Sequence, residues 1–371
     1  MKKILILANV SAGLYNFRFE LVKELIRQGF RVYFTVLEPK EDEKVKLLVE
    51  AGAVHFQTPF ERRGTNPIKD LQLVIQYQKI IKQVDPDIIL TYTVKPNIYG
   101  TFGASRFHKP VIMNITGIGS ALATRNRYNN ILKLMYKYAC KRAFYVFFQN
   151  QANLDFFVKN GLVDEQKVRL IPGSGVNIDK FVPIDKSSKD NMVRFLFVGR
   201  IMKEKGVDEY LAAAEAITEK YSNAEFQLLG SFEEEEYKDI LSSIKNDRIK
   251  YLGVSSDVRN EIKEVDCIVN PSYHEGMSNV LLEGAAMGKP LIASDIPGCK
   301  EIIEDGHNGF LFKVQSVSAL VDRVSQFMEL DSNTRAAMGA NSRKKVETEF
   351  DRNLVIKQYL DAINDILLRQ R

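Results

Sequence analysis

Two short stretches hold the residue types most able to do chemistry. The first reads Gly199-Arg200-Ile201-Met202-Lys203-Glu204-Lys205-Gly206, directly after the apolar run 193–198. Gly199 ends the run, cations follow, and Gly206 opens a helical pattern. A planar guanidinium (Arg200), a point ammonium (Lys205) and a helix N-terminus together suit a phosphate. A solvated turn would carry the same letters. The second stretch follows the apolar run 267–270 and spans Pro271 to Gly284 (PSYHEGMSNVLLEG). Glu275 stands at a loop-to-helix junction beside Gly276 and Met277, and Ser278 is a candidate N-cap. Glu283 falls among Val280, Leu281, Leu282, Ala285 and Ala286 on a nearly all-apolar helix. A carboxylate there needs a partner. Sugar hydroxyls would serve, and so would an internal salt bridge.

These loops must be held by regular elements. Strand-like runs recur at 3–8, 31–36, 54–57, 88–92, 111–115, 145–149 and 168–171, then at 193–198, 225–229, 249–252, 267–270, 291–293 and 309–312. Helical patterns lie between them, among them 17–28, 71–84, 208–220, 233–244, 258–264 and 278–287; further helices are expected at 316–329, 333–347 and 354–368. Such alternation predicts parallel sheets covered on both faces. Single cores stop growing at roughly 250–300 residues, so the 371-residue chain is expected to form two doubly wound α/β domains. The expected domains are 1–182 and 192–350, with a polar linker near 183–191 and a C-terminal helix, about 354–371, packing back on the first domain. In this architecture ligands bind beyond the carboxyl ends of the strands.

Charge divides the chain. Residues 1–185 hold 27 Lys+Arg against 16 Asp+Glu, a net +11, whereas residues 186–371 hold 25 against 31, a net −6. No zinc finger, RNA-binding signature or helix-turn-helix pattern accompanies the basic half, so no nucleic-acid partner is expected. Segment 125–142 (RNRYNNILKLMYKYACKR) repeats Lys133, Lys137 and Lys141 every four residues, is flanked by Arg125, Arg127 and Arg142, and contains no acidic residue. Its apolar residues either face the domain core or lie with the cations on an anionic membrane surface. No run approaches the ~20 apolar residues of a membrane span. The start, MKKILILANVSAGL, places two lysines before a short apolar run, but the helical pattern that follows marks a first βα unit rather than an export signal. Three widely spaced cysteines fit a reducing compartment.

Taken in order, Gly199-Arg200 with Lys205-Gly206, Glu275-Gly276 with Glu283, the turn Gly288-Lys289-Pro290, the junction-like segment VRLIPGSGVNIDKF (168–181) and the late DGHNGF (305–310) resemble the family 4 retaining glycosyltransferases. The resemblance spans the chain and implies the GT-B fold, two Rossmann-like domains facing across a cleft. It implies that Arg200 and Lys205 grip a donor diphosphate, that Glu283 meets the ribose hydroxyls and that Glu275 meets the donor sugar. Gly199, Gly276, Met277 and the helix start at Ser278, Asn279 and Val280 would complete the donor site. Gly13, after the first strand, would let backbone approach the donor. Many members carry a His or other polar residue after the strand that ends here near Ile115. This chain has Thr116-Gly117-Ile118-Gly119-Ser120 instead, so no His-assisted step is expected there. That loop, with ANVSAGLYNFR near the start, resembles the subgroup that builds bacterial surface polysaccharides and lipid-linked oligosaccharides. Thr116, Gly117, Gly119, Ser120 and His274 are therefore the acceptor-side candidates.

The implied activity moves a hexosyl or N-acetylhexosaminyl group from a nucleotide diphosphate sugar, with UDP as the expected carrier, to a membrane-anchored acceptor such as undecaprenyl-diphosphate-sugar. Neither a metal nor a cofactor is expected, because no His/Asp/Glu group has ligand spacing and cations can meet the diphosphate. The expected location is cytoplasmic, on the inner face of the cell membrane. His55, His108 and His307 are read as structural or exposed. Ser120 and Ser174 lack an evident base, which argues against a hydrolase triad. Two other readings remain: a sugar-nucleotide 2-epimerase on the same scaffold, and a non-catalytic two-domain sugar-binding protein.

Overall fold

A computed structural model describes every residue except 62, 63, 65, 118–126, 188, 189 and 371, and only the backbone at 127 and 128. The chain forms two compact units, Met1–Ser174 with Asn353–Arg371, and Gly175–Arg352. Residues 183–191 belong to the second.

The first unit is built on a parallel sheet of β1 (Lys3–Leu7), β2 (Arg31–Val36), β3 (Val54–Gln57), β4 (Ile88–Tyr92), β5 (Val111–Ile115), β6 (Tyr145–Phe148) and β7 (Val168–Leu170). The spatial order is β3-β2-β1-β4-β5-β6-β7. Side chains alternate across it. Ile4, Ile6, Val32, Phe34, Ile88 and Leu90 face the helix Ser11–Arg27 and the C-terminal helix Arg352–Arg369, whose Tyr359, Ile363 and Ile366 are fully buried. Leu5, Leu7, Tyr33 and Ile89 face the opposite way, onto Leu73, Tyr77 and Ile81 of the helix Pro67–Val84. Both faces are thus buried, which is why the strands read as unbroken apolar runs. Each such Ile, Leu or Phe taken from water contributes roughly 1.5–3 kcal/mol.

The second unit repeats the plan with β8 (Val193–Val198), β9 (Ala224–Leu229), β10 (Ile249–Tyr251), β11 (Cys267–Asn270), β12 (Leu291–Ser294) and β13 (Gly309–Phe312), in the order β10-β9-β8-β11-β12-β13. Phe195, Phe197, Phe226 and Leu228 pack with Tyr210, Ile217 and Phe327 on one face. Leu196, Ile268 and Leu291 pack with Leu281, Leu282 and Ala285 on the other. In each sheet the strand order reverses once, between β1 and β4 and between β8 and β11. Those reversals are the places where crossover helices leave opposite faces and open a crevice for ligand.

The first helix differs from the periodicity-based expectation. It begins at Ser11 rather than near 17, so Gly13 lies in its first turn and not in a loop. Its N-cap, Val10, offers no side-chain bond; instead the Ser11 N–H donates to Glu38 Oε2 at 2.8 Å, after β2. All three cysteines are free and buried. Among the described residues, no helix is long and apolar enough to cross a membrane.

Candidate active site

The two chemistry-bearing loops leave β8 and β11, the neighbouring strands at the switch point of the second unit. After β8 the chain makes one 3-10 turn, Lys203–Lys205, and enters the helix Val207–Lys220 through Gly206. Gly206 has φ +73°, and a Cβ there would stand 2.2 Å from the Pro271 carbonyl oxygen in the other loop. Only glycine fits both demands. The loops are joined further by the Tyr273 N–H donating to Glu204 O at 3.0 Å. Tyr273 also donates its hydroxyl to the buried Glu209 carboxylate at 2.8 Å. Burial, and then that carboxylate, hold the phenol above its ordinary pKa.

The second loop is anchored from beneath. Asn270, at the end of β11, donates to Ser278 Oγ and accepts from Ser272 Oγ at 2.6 Å. Ser278 caps the helix Asn279–Ala286 by accepting from the Leu281 N–H. Gly284 lets that helix lie on β11, since a Cβ there would meet Ile268 Cγ1 at 2.5 Å. The helix N-terminus is thereby fixed beside the cationic loop. Asn279 Oδ1 is buried there without a hydrogen-bond partner among the described residues.

Both expected phosphate-gripping cations already face carboxylates. Lys205 Nζ lies 2.6 Å from Glu275 Oε1, with both side chains mostly buried. Arg200 Nη1 lies 3.4 Å from Glu233 Oε2, and about half of the Arg200 side chain is exposed. Glu233 follows β9 and was not singled out from sequence; only the acidic run 233–236 was there to be noticed. The carboxylate of Glu283 has no hydrogen bond or ion pair among the described residues. Burial pushes its pKa from 4.5 up to about 7, against the pull of the Arg352 and Lys180 charges. Those two cations were also missed. Each belongs to a segment remote in sequence from the helix that carries Glu283.

The other candidates are placed as follows. Gly199, Arg200, Lys205, Glu275, Gly276, Met277, Ser278, Asn279, Val280 and Glu283 all lie on the two loops or the helix that continues them. His274 is exposed on the second loop, next to Glu275. Gly13 is in the first unit, where a Cβ would meet only Val10 Cγ2 at an ordinary 3.4 Å, so protein packing does not demand glycine there. Thr116 and Gly117 follow β5 and are partly buried; Gly119, Ser120 and Arg125 lie outside the described residues, as does the side chain of Arg127.

The basic segment forms the helix Arg127–Arg142. Tyr136, Ala139 and Cys140 face the core, whereas Ile131, Leu134 and Tyr138 are exposed by 58%, 68% and 45%. The expected lysine stripe is uneven. Lys137 and Lys141 are exposed, but Lys133 turns over the Phe156 ring and donates to Asn160 Oδ1 at 3.2 Å. Arg142 stacks on Tyr138.

Comparison with known proteins fits this architecture. Residues 3–150 match the family model described as glycosyl transferase 4-like, and residues 180–345 match that of glycosyl transferases group 1. The N,N'-diacetylbacillosaminyl-diphospho-undecaprenol alpha-1,3-N-acetylgalactosaminyltransferase of Campylobacter jejuni is 27% identical over 97% of this chain and 98% of its own. The UDP-Gal:alpha-D-GlcNAc-diphosphoundecaprenol alpha-1,3-galactosyltransferase of Escherichia coli is 27% identical over 84% of this chain and 83% of its own. The structure of Anabaena Alr3699/HepE in complex with UDP and glucose aligns with a TM-score of 0.78 at 18% identity, covering 98% of this chain and 100% of that one. With both units matched, and with the loop chemistry at the switch point of the second, the chain belongs to the family 4 glycosyltransferases and has the GT-B fold.

Proposed function

We propose that the protein transfers a sugar from a UDP-linked donor to a membrane-anchored glycan acceptor, with retention of the anomeric configuration. The observation that carries this reading is the joining of the cationic and carboxylate loops at the switch point, through Lys205–Glu275 and the Gly206–Pro271 contact. The named C. jejuni and E. coli relatives act on diphospho-undecaprenol-linked sugars, the E. coli one with a UDP donor, and the Anabaena structure holds UDP. These support the choice of donor and acceptor class.

In this reading Arg200 and Lys205 turn from their carboxylates to the donor diphosphate. The helix start at Ser278, Asn279 and Val280 adds oriented N–H groups. Glu283 accepts the ribose hydroxyls, and Glu275, released from Lys205, accepts hydroxyls of the sugar. Gly199, Gly276 and Met277 shape the remaining donor contacts of the second unit. As the bond from the anomeric carbon to the diphosphate oxygen breaks, negative charge grows between cations that are already in place. The acceptor oxygen bonds to that carbon on the same face and passes its proton to the departing diphosphate oxygen. Cations and N–H groups meet the diphosphate charge, so the reaction is proposed to need no metal or cofactor.

Thr116, Gly117, Gly119, Ser120 and His274 are the residues proposed for the acceptor side. The exposed Ile131, Leu134 and Tyr138, with Lys137, Lys141 and Arg142 around them, favour contact between the first unit and an anionic membrane. This fits a peripheral protein on the inner face of the cell membrane. The test is incubation of UDP-sugars with lipid-diphosphate-sugar acceptors, with products read by mass and anomeric NMR couplings. A lengthened, retained product supports the reading. Donor converted to its C2 epimer without acceptor would replace it with an epimerase.

A further inference from the structure

The chemistry lies at the carboxyl ends of the strands, but the first unit has a second concavity at the opposite edge of its sheet. An open groove of about 1170 Å³ runs across the amino ends of β5, β6 and β7, between the last turn of Arg127–Arg142 and that of Arg352–Arg369. Its cations are Lys109, Lys141, Arg142, Lys167, Arg169 and Arg369, and among the described residues no Asp or Glu lines it. Two are neutralised from behind, Lys109 by Asp85 at 2.6 Å and Arg369 by Asp365 at 3.0 Å. The other four have no carboxylate within ion-pair distance among the described residues.

Several of these cations are held in place. Arg169 stacks on Tyr145 at 4.4 Å and donates to Val168 O at 2.8 Å. Arg142 lies 3.2 Å from the Tyr138 ring centre. Lys167 donates to the carbonyls of Lys141 and Ala143 at 2.7 and 2.9 Å, which ties the wall to the helix end. Planar, positioned guanidiniums suit phosphate oxygens. Asp365 and Asp164 act on Arg169 and Lys167 only through space, so the groove keeps an excess of positive charge that suits an anionic occupant.

The neighbouring surface selects the source of that anion. Tyr138 lines the groove and also ends the exposed apolar strip of Ile131 and Leu134. A soluble polyanion would use the cations and leave the strip bare. A bilayer surface uses both, since apolar side chains enter the interface beside the headgroups. We propose that this groove receives phosphate headgroups of anionic phospholipids and anchors the far end of the helix Arg127–Arg142 to the bilayer. The proposal rests on the membrane contact inferred above and extends it from the helix to the groove. The helix is about 24 Å long. Pinned at its C-terminal end and laid along its apolar strip, it keeps its other end, which follows Thr116 and Gly117 in the chain, at the membrane where a lipid-linked acceptor arrives.

The full chain is tested by co-sedimentation with vesicles of phosphatidylcholine alone and with added phosphatidylglycerol. A double variant K167Q/R169Q and the single variant R169E, at an exposed site, leave the helix cations untouched and are compared with the unaltered protein. The UDP-induced shift in melting temperature serves as the folding control. The expected result is salt-sensitive binding to phosphatidylglycerol vesicles, weakened about tenfold or more by each variant, with the UDP response kept. Variants that bind these vesicles like the unaltered protein would overturn the groove assignment and leave the membrane contact standing. An unaltered protein that ignores the vesicles would defeat both. Glycerol phosphate that raises the melting temperature of the unaltered protein but not of the variants, while all of them bind the vesicles alike, would assign the groove to a soluble phosphate and overturn the lipid source.

Discussion

Glu283 makes the proposed donor site sensitive to pH in a calculable way. Its carboxyl titrates near pH 7 in the unliganded protein, because burial outweighs the attraction of Arg352 and Lys180. Hydroxyls of a ribose donate most strongly to the ionised form. With a pKa of about 7, roughly one-eleventh of the chains are ionised at pH 6 and ten-elevenths at pH 8. If only that fraction binds, UDP affinity rises about tenfold, or about 1.4 kcal/mol, across those two units. Calorimetry at pH 6, 7 and 8 reads this directly, and buffers of different ionisation enthalpy report the released proton. UDP has its own phosphate titration, so E283Q provides the baseline. The reasoning fails if E283Q and the unaltered protein share one pH profile, or if affinity falls with pH. The same shift acts on folding. The unfolded chain releases this proton near pH 4.5 and the folded chain holds it to about 7, so stability declines as pH rises through that window. E283Q removes that decline from a thermal-melt series.

Loss of the Arg200 guanidinium in R200A is expected to cost on the order of 3 kcal/mol in the transition state, or ~10²-fold in turnover, measured with saturating acceptor. Unchanged turnover in a folded R200A would remove Arg200 from the mechanism. In the proposed site Glu233 would compete with the diphosphate for Arg200, and an ion pair this exposed is worth about 0.5–1 kcal/mol. E233Q should therefore bind UDP roughly two- to fivefold more tightly at low salt, with the gain fading at high salt; weaker binding would make Glu233 a donor contact. G206A forces a Cβ onto the Pro271 carbonyl at positive φ. It should lose about 3 kcal/mol of stability, visible as a clear fall in melting temperature, and an unchanged melt would contradict the joined-loop geometry.

Strands such as Ile4–Leu7, buried on both faces, leave an apolar run that any reading of the sequence detects. Helix starts were less visible where the cap comes from elsewhere. Ser11 is satisfied by Glu38, so no capping residue precedes the helix. The pattern 233–244 likewise implied a helix that begins only at Glu236, because the N–H groups of Glu233 and Glu234 bond to Ile201 O and Glu234 also accepts from Lys203. At the site, residue type alone marked Arg200, Lys205, Glu275 and Glu283. The charges around them were not legible, since Glu233 pairs with Arg200, and Arg352 and Lys180 act on Glu283, only through the folded sheet and its returning segments. The lysine stripe shows the reverse limit: a period of four places Lys133 on a helix face but not over Phe156.

The C-terminal helix also bears on the order in which the chain can mature. The first unit draws on chain from both sides of the second, Met1–Ser174 and Asn353–Arg371, and Tyr359, Ile363 and Ile366 complete its core against β1, β2 and β4. The second unit is uninterrupted and can close as soon as its own residues have emerged from the ribosome. The portion synthesised first must therefore wait until the helix Arg352–Arg369 has emerged to cover Ile4, Ile6 and Phe34. During that wait it presents sticky, half-finished surface, the kind that chaperones recognise and that drives misassembly.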